Sequence, residues 1–418
     1  MMTNNSSNLR NPSLAMILTF LLFFPTIGSI IGISAHTFGT DDSRDYWPTI
    51  SWRTSTPETQ GMDSTMLNQM LEYIGEQGYN IDSIMVIRNG YIVLEEYTNP
   101  SYNQITKHVC YSVTKSFTSA LIGIAIQKGF INNIDQKVVD FFPDKTIANL
   151  DIRKQSMTIE HLLTMSTGLE WDESTFPYMD LEDNPVLQNS YIQLIYSNDS
   201  IQFVLDQPMI NDPGVKWVYN SGASHLLSTI IEYITGYSTL NFAHEFLFGP
   251  LGISDVSWTQ HSQGLYYGAH GLYLRPQDMA KFGYLYLNNG SWDDKHVVSA
   301  DWVIKSTQTY IWPRKEVGYG YQWWTLPLDG IYFASGLYGQ GIFVIPEYDL
   351  VVVFTAEIKK RMNPELSMLF EYIIPAVVGD PSPQTNFAKL PTSVLIALTV
   401  PLVVVSVYLI IRMIKKRI

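Results

Sequence analysis

Apolar and polar positions follow one another along the chain in a pattern that predicts a mixture of helices and strands. Apolar residues recur at helical spacing over residues 64–75, directly after Asp63, which can cap a helix. Two strand-like runs then flank Asn89-Gly90, a pair typical of tight β-hairpins. Further strand patterns come late in the chain, at residues 320–324, 331–334, 341–345 and 350–355.

The middle of the chain carries mostly helical patterns. They cover residues 120–127, 136–142, 159–165, 200–205, 221–234, 276–288 and 300–306. Strands at both ends with helices between them predict one antiparallel sheet built from the two ends of the chain and flanked by helices. An all-α region would be inserted into it, so the predicted fold class is α+β. Residues 172–198 are polar and acidic, and we predict a long loop there.

Both ends of the chain carry long apolar runs. Residues 14–33 follow a polar start, so residues 1–35 are predicted to be a signal peptide or an N-terminal membrane anchor. Residues 394–411 are almost wholly apolar, and the predicted fold therefore includes a C-terminal transmembrane helix over residues 391–412. The basic tail, 413–418, would be cytoplasmic, which puts the domain over residues 36–390 on the outer side of the cell membrane.

The composition of the chain argues against several classes of partner and cofactor. The chain has 418 residues and a net charge of −13, which argues against binding nucleic acid. A single cysteine, Cys110, excludes an internal disulfide. The pair His244-Glu245 begins like a zinc-protease motif, but Phe248 stands where the second histidine would be needed. We therefore predict no metal and no cofactor.

The stretch most suited to chemistry is residues 109–117. Ser112 lies just before a helical pattern, and Lys115 follows one turn later on the same face. A serine hydroxyl becomes a strong nucleophile when a base takes its proton, and a buried lysine can be neutral enough to do so. From these two residues alone, a helix-capping serine beside a solvated lysine is the favoured interpretation, because Ser and Lys three positions apart are a frequent pair.

Two later segments contain further candidate residues. In residues 213–222, Tyr219 precedes a predicted helix, and a tyrosine next to a lysine can pass a proton to a leaving group. In residues 333–347, small residues would let a strand edge approach a ligand closely.

Together these segments resemble the serine β-lactamase and penicillin-binding superfamily. The resemblance is closest to its class C-like branch, which includes aminohexanoate-dimer hydrolases and related esterases. It spans roughly residues 52–376 and also involves residues 158–169 and 271–280. It implies the fold of that superfamily for the predicted domain.

The resemblance also implies a catalytic site. Ser112 matches the acylated nucleophile, Lys115 its proton-accepting partner, and Tyr219 the tyrosine of the Y-x-N motif. The oxyanion hole would consist of the backbone N–H groups of Ser112 and Leu337. Whether Lys115 or Tyr219 is the general base stays open.

The chain departs from the family pattern at two positions. Ser221 replaces the asparagine of Y-x-N, and Ala334 stands where many relatives carry a lysine or histidine. Ser335 and Gly336 complete that third motif. Substrate contacts would therefore fall to Ser221, Ser335 and Gly336, without a cation for a substrate carboxylate.

We therefore predict a membrane-anchored serine hydrolase that cleaves amide or ester bonds through an acyl-enzyme on Ser112. One alternative is a non-catalytic ligand-binding or sensor protein on the same fold. Another is a true β-lactamase or D-alanyl peptidase. The presence of Ser112, Lys115 and Tyr219 together favours an enzyme, because a pure binding protein has no need for all three.

Overall fold

The computed structural model describes residues 44, 46–173, 189–358 and 363–377. The chain divides into two compact units, Met1–Asp45 and Tyr46–Ile418, and every element named below belongs to the second. Its α-helices are α1 (Ser64–Gln77), α2 (Thr114–Gln127), α3 (Ile152–Ser156), α4 (Ile159–Leu163), α5 (Ser190–Tyr196), α6 (Ser200–Leu205), α7 (Ser221–Thr235), α8 (Thr239–Ala243), α9 (Pro276–Leu287), α10 (Ala300–Thr307) and α11 (Pro364–Met368).

The strands form one large sheet and two small ones. They are β1 (Ile81–Arg88), β2 (Tyr91–Glu96), β3 (His108–Val109), β4 (Ser257–Trp258), β5 (Leu272–Leu274), β6 (Ser291–Trp292), β7 (Lys295–His296), β8 (Ile311–Arg314), β9 (Val317–Tyr319), β10 (Trp324–Leu326), β11 (Ile331–Gly336), β12 (Gln340–Ile345) and β13 (Leu350–Ala356).

The large sheet joins the two ends of the domain. Its strand order is β2-β1-β13-β12-β11-β10-β9-β8, and its neighbouring strands are antiparallel. Strand β1 pairs with β13, so an early strand lies beside the last one, with the helical region between them in sequence. The predicted α+β arrangement, a sheet built from both ends of the chain, is confirmed.

Local sequence signals set the boundaries of several elements. The carboxylate of Asp63 accepts a hydrogen bond from the Thr65 N–H and begins α1. Asn89 and Gly90 both have positive φ, 54° and 83°, which the tight turn between β1 and β2 requires. The predicted helix cap and hairpin are therefore confirmed.

Each face of the large sheet packs against a separate apolar cluster. Along β13, Val351 and Val353 face the cluster that contains α2 and α9, whereas Val352 and Phe354 face the one that contains α1. Helix α2 is buried from Thr114 through Ala125. Burial of each large apolar side chain contributes about 1.5–3 kcal/mol to the stability of the fold. Helix α2 is therefore firmly anchored in the core and supports the residues at its start.

Two predicted elements differ in the structure. Part of the predicted loop 172–198 is α5, which begins where the Asn189 side chain accepts hydrogen bonds from Tyr191 and Ile192. The predicted strand 320–324 is wrong, because residues 320–323 form a turn between β9 and β10. Gln322 has φ 63° there, and its amide donates to the carbonyls of Leu162 and Leu163.

The transmembrane part of the predicted fold class is also wrong. Among the residues that the structure describes, no helix is long and apolar enough to cross a membrane. The longest of those helices, α7, has 15 residues. It rises about 22 Å, whereas a bilayer core is about 30 Å thick. For the residues that the structure describes, the fold class is corrected to an α+β domain; the predicted segments 1–35, 391–412 and 413–418 lie outside those residues.

Candidate active site

Ser112 lies in a tight turn that leads into α2. The turn spans Tyr111–Val113, and α2 follows at Thr114 without a break. Tyr111 has φ 44°, a left-handed conformation that costs a non-glycine residue about 1–3 kcal/mol. The Cys110 N–H donates to the Leu272 carbonyl at 2.8 Å and ties the turn to β5. The surrounding structure thus holds Ser112 at the start of a buried helix.

Lys115 is the buried partner of Ser112. Only 2% of its surface is exposed, and its Nζ lies 3.0 Å from Ser112 Oγ. Nζ also contacts Ser221 Oγ at 3.1 Å and the Ala269 carbonyl at 3.0 Å. Burial lowers the pKa of Lys115 to about 8, and the nearby Glu173 charge opposes that shift. An amine with such a pKa is partly neutral near physiological pH and can accept the Ser112 proton.

Tyr219 lies beside the lysine, two residues before α7. Lys115 Nζ is 4.8 Å from the centre of the Tyr219 ring. The same ring stacks on Trp324, with centroids 6.4 Å apart and planes 18° apart. The structure thus brings Tyr219 next to Lys115, and a proton-transfer role for its hydroxyl stays a prediction.

The third motif approaches Ser112 from the end of β11. A Cβ added to Gly336 would lie 2.5 Å from the Cys110 carbonyl oxygen and 3.2 Å from the Ser112 nitrogen, so only glycine permits this approach. Ser335 precedes it on β11, and Leu337 begins the turn that follows. The structure places the Leu337 backbone in the segment beside the Ser112 turn. Its role in an oxyanion hole, like the binding roles of Ser335 and Gly336, stays a prediction.

An aromatic pair beside the Ser112 turn was not predicted. Tyr111 and Tyr338 pack edge to face, with ring centroids 5.4 Å apart. Tyr338 has φ 64°, so both members of the pair have left-handed backbones. No local sequence pattern predicts this pair, because its members are far apart in the chain. They meet only when the end of β11 packs against the Ser112 turn.

A carboxylate in the site was also not predicted. Glu173 Oε1 accepts hydrogen bonds from the Trp171 indole and the Ser221 N–H, each at 2.6 Å, and Oε2 accepts from Ser221 Oγ at 3.0 Å. Burial raises the Glu173 pKa, while the Lys115 charge and these hydrogen bonds oppose the rise. Glu173 lies only four residues beyond segment 158–169, but nothing local indicates that its carboxylate bonds to Ser221 beside Lys115.

The surroundings of Ala334 and of two basic residues, Arg275 and Lys216, bear on whether another cation could take its place. Ala334 is 1% exposed and packs into the cluster that contains α2. Arg275 pairs with Asp278, with its Nε 2.7 Å from the carboxylate, at the start of α9. Lys216 is exposed to solvent.

The fold and the site define a class of protein. An α+β domain that buries a lysine against a serine hydroxyl at a helix start has the arrangement of serine hydrolases that work through an acyl-enzyme. A protein-family model described as Beta-lactamase matches residues 66–368 of this chain. That match covers more than half of the sequence, and the chain belongs to the beta-lactamase family. The resemblance inferred from the motifs is confirmed.

Individual relatives agree with this placement. The 6-aminohexanoate-dimer hydrolase of Paenarthrobacter ureafaciens is 23% identical over 290 residues, or 65% of this chain and 71% of that protein. The monacolin J acid methylbutanoyltransferase of Aspergillus terreus is 26% identical over 158 residues, or 35% of this chain and 37% of that protein. The chain thus matches little more than a third of that transferase.

Solved structures show the same fold. A family VIII carboxylesterase superposes with a TM-score of 0.59 at 14% identity, covering 77% of this chain and 99% of the esterase. At that identity the likeness concerns the fold alone. The family and its members support a hydrolase or acyl-transfer activity.

Proposed function

We propose that this protein is a serine hydrolase that cleaves neutral esters or linear amides through an acyl-enzyme on Ser112, without a cofactor. One observation carries the proposal: Lys115 Nζ lies 3.0 Å from Ser112 Oγ while the lysine itself is 2% exposed. A buried lysine that stays charged is commonly paired with a carboxylate. Here its amine contacts two hydroxyls and a carbonyl instead.

Acylation follows from these contacts. Neutral Lys115 accepts the Ser112 proton, and Ser112 Oγ attacks the substrate carbonyl. The backbone N–H groups of Ser112 and Leu337 would stabilise the developing oxyanion. The Lys115 ammonium then returns the proton to the leaving group, directly or through the neighbouring Tyr219 hydroxyl, and the bond to the leaving group breaks.

Deacylation reverses the same proton path. A water molecule loses a proton to Lys115 or Tyr219 and attacks the acyl-enzyme carbonyl, and Ser112 leaves with a proton returned from that base. Lys115 is placed to serve both half-reactions, because its amine contacts Ser112 Oγ.

The neighbourhood of Ala334 supports a neutral substrate. A charge-assisted hydrogen bond to a carboxylate contributes about 1.5–3 kcal/mol, or roughly ten- to a hundredfold in affinity, and Ala334 cannot make one. Aromatic surfaces are available instead, because Tyr219 stacks on Trp324 and packs at 48° against Trp217. The relatives named above include a 6-aminohexanoate-dimer hydrolase, which agrees with a hydrolytic activity.

Labelling with a fluorophosphonate probe tests the proposal. We expect the wild-type protein to be labelled and Ser112→Ala to be unlabelled, with hydrolysis of an aryl ester reduced by several orders of magnitude. Ser119→Ala is the matched control, since Ser119 lies on the same helix and its buried hydroxyl has no hydrogen-bond partner among the described residues. Labelling of the control should equal that of the wild type. An unlabelled wild type, or a Ser112→Ala variant that keeps its activity, would contradict the proposal.

A further inference from the structure

Glu173 is connected to the catalytic lysine through one hydroxyl group. Ser221 Oγ lies 3.0 Å from Glu173 Oε2 and 3.1 Å from Lys115 Nζ. The two charged groups are therefore no more than about 6 Å apart, with the Ser221 hydroxyl between them. This link joins the segment after α4 to the starts of α2 and α7, and none of the sequence motifs includes Glu173.

The chemistry of the carboxylate decides which way the hydroxyl points. An ionised carboxylate only accepts hydrogen bonds, so the Ser221 hydroxyl must donate its proton to Glu173. The oxygen of Ser221 is then left to accept from Lys115. Glu173 itself is held in place by the Trp171 indole and the Ser221 N–H, each 2.6 Å from Oε1.

The three contacts of Lys115 then acquire distinct roles. A neutral amine has two N–H donors and one lone pair. The Ala269 carbonyl can only accept, and the oriented Ser221 oxygen accepts as well, so these two take both N–H groups. The lone pair remains for the Ser112 hydroxyl. If Ser221 pointed the other way, its proton would compete with that of Ser112 for the same lone pair.

We propose, building on the proposed function, that Glu173 is a positioning residue that orients the Ser221 hydroxyl, reserves the Lys115 lone pair for Ser112, and controls the charge of Lys115. Glu173 does not touch the reacting atoms, so its contribution acts through Ser221 and through its negative charge.

The charge effect has a definite sign. Among the described residues, the titratable groups that face Lys115 are Glu173, His270 and Tyr219. Burial lowers the pKa of His270 to about 3, so that imidazole is neutral under assay conditions. Glu173 raises the pKa of Lys115 against the effect of burial, which leaves it at about 8. Removing the Glu173 charge must therefore lower the Lys115 pKa further.

The pH dependence of kcat/KM tests this proposal, because that ratio reports the pKa of the essential base in the free enzyme. The neutral amine is the reactive form, so kcat/KM should rise with pH through the Lys115 pKa and level off above it. In Glu173→Gln we expect this rise to move to lower pH by about one to two units, with a lower plateau. In Glu173→Asp, which keeps the charge, the rise should stay within about half a unit of the wild type.

The outcomes separate this proposal from the proposed function. If Ser112→Ala abolishes activity but the Glu173→Gln profile coincides with that of the wild type, the positioning role is refuted and the hydrolase stands. If Ser112→Ala remains active, the proposed function itself fails.

Should Glu173→Gln not fold, Ser221→Ala replaces it, since that variant removes the hydroxyl link and leaves both charges. A plateau reduced by about tenfold or more supports the link, and a wild-type plateau overturns it.

Discussion

Replacing Gly336 by alanine should slow catalysis by about a hundredfold while the protein stays folded. Gly336 ends β11 and lies against the turn that carries Ser112. The backbone of Gly336 has φ −130°, which alanine adopts without strain, so the effect comes from the added methyl group and not from the backbone conformation.

The size of the effect follows from the space available. The new Cβ would lie 2.5 Å from the Cys110 carbonyl oxygen, and ordinary contacts begin near 3.4 Å. The strand end or the Ser112 turn must therefore move by about 0.9 Å. The Cys110 carbonyl belongs to the segment that positions Ser112, so the nucleophile and the backbone N–H groups around it lose their alignment. A misplacement of about 1 Å costs roughly a hundredfold in rate, equivalent to about 2.7 kcal/mol.

Two measurements test this prediction. Steady-state hydrolysis of a short-chain aryl ester gives kcat/KM, and thermal unfolding shows whether the variant is folded. Gly75→Ala is the matched control, because Gly75 lies in α1 and an added Cβ there meets no atom within 4 Å. That control should keep wild-type activity and gain up to about 1 kcal/mol in stability, since alanine is the better helix former. A Gly336→Ala variant that stays within about threefold of wild-type kcat/KM would refute the steric reasoning.

Two further predictions concern the tyrosine and the substrate. Tyr219→Phe keeps the stacking on Trp324 but removes the hydroxyl, so the rate should fall by about 10²–10⁴ if Tyr219 relays the proton; an unchanged rate would leave Lys115 as the sole base. A short-chain aryl ester should have a higher kcat/KM than a chromogenic cephalosporin, because Ala334 supplies no cation for the cephalosporin carboxylate. A cephalosporin that is hydrolysed faster would mean that a cation from elsewhere enters the site.

Local signals in the sequence determined much of the fold. Asp63 caps α1 and Asn89-Gly90 turns the first hairpin, because capping and positive φ depend on neighbouring residues alone. The spacing of Ser112 and Lys115 likewise predicted that they lie one turn apart on the same side, and their contact at 3.0 Å agrees with it, with Ser112 in the turn that leads into α2.

Where strands or helices depend on distant partners, sequence patterns failed. Residues 320–324 have a strand-like composition, but the Gln322 side chain bonds to carbonyls near the end of α4 and turns the chain there. The helix α5 was missed because the residues around it are polar, and only the Asn189 cap marks its start.

The environment of Lys115 was decided by tertiary structure. Its pKa depends on how completely the fold removes the amine from water and on how near Glu173 lies, and neither quantity is encoded in local spacing. Glu173 is 58 positions away from Lys115 along the chain, and Ser221 lies 48 positions beyond Glu173. The local spacing of Ser112 and Lys115 was enough to identify this pair from the sequence. Electrostatic coupling depends on distance through space, so only the folded chain could show that Glu173 is the carboxylate near them.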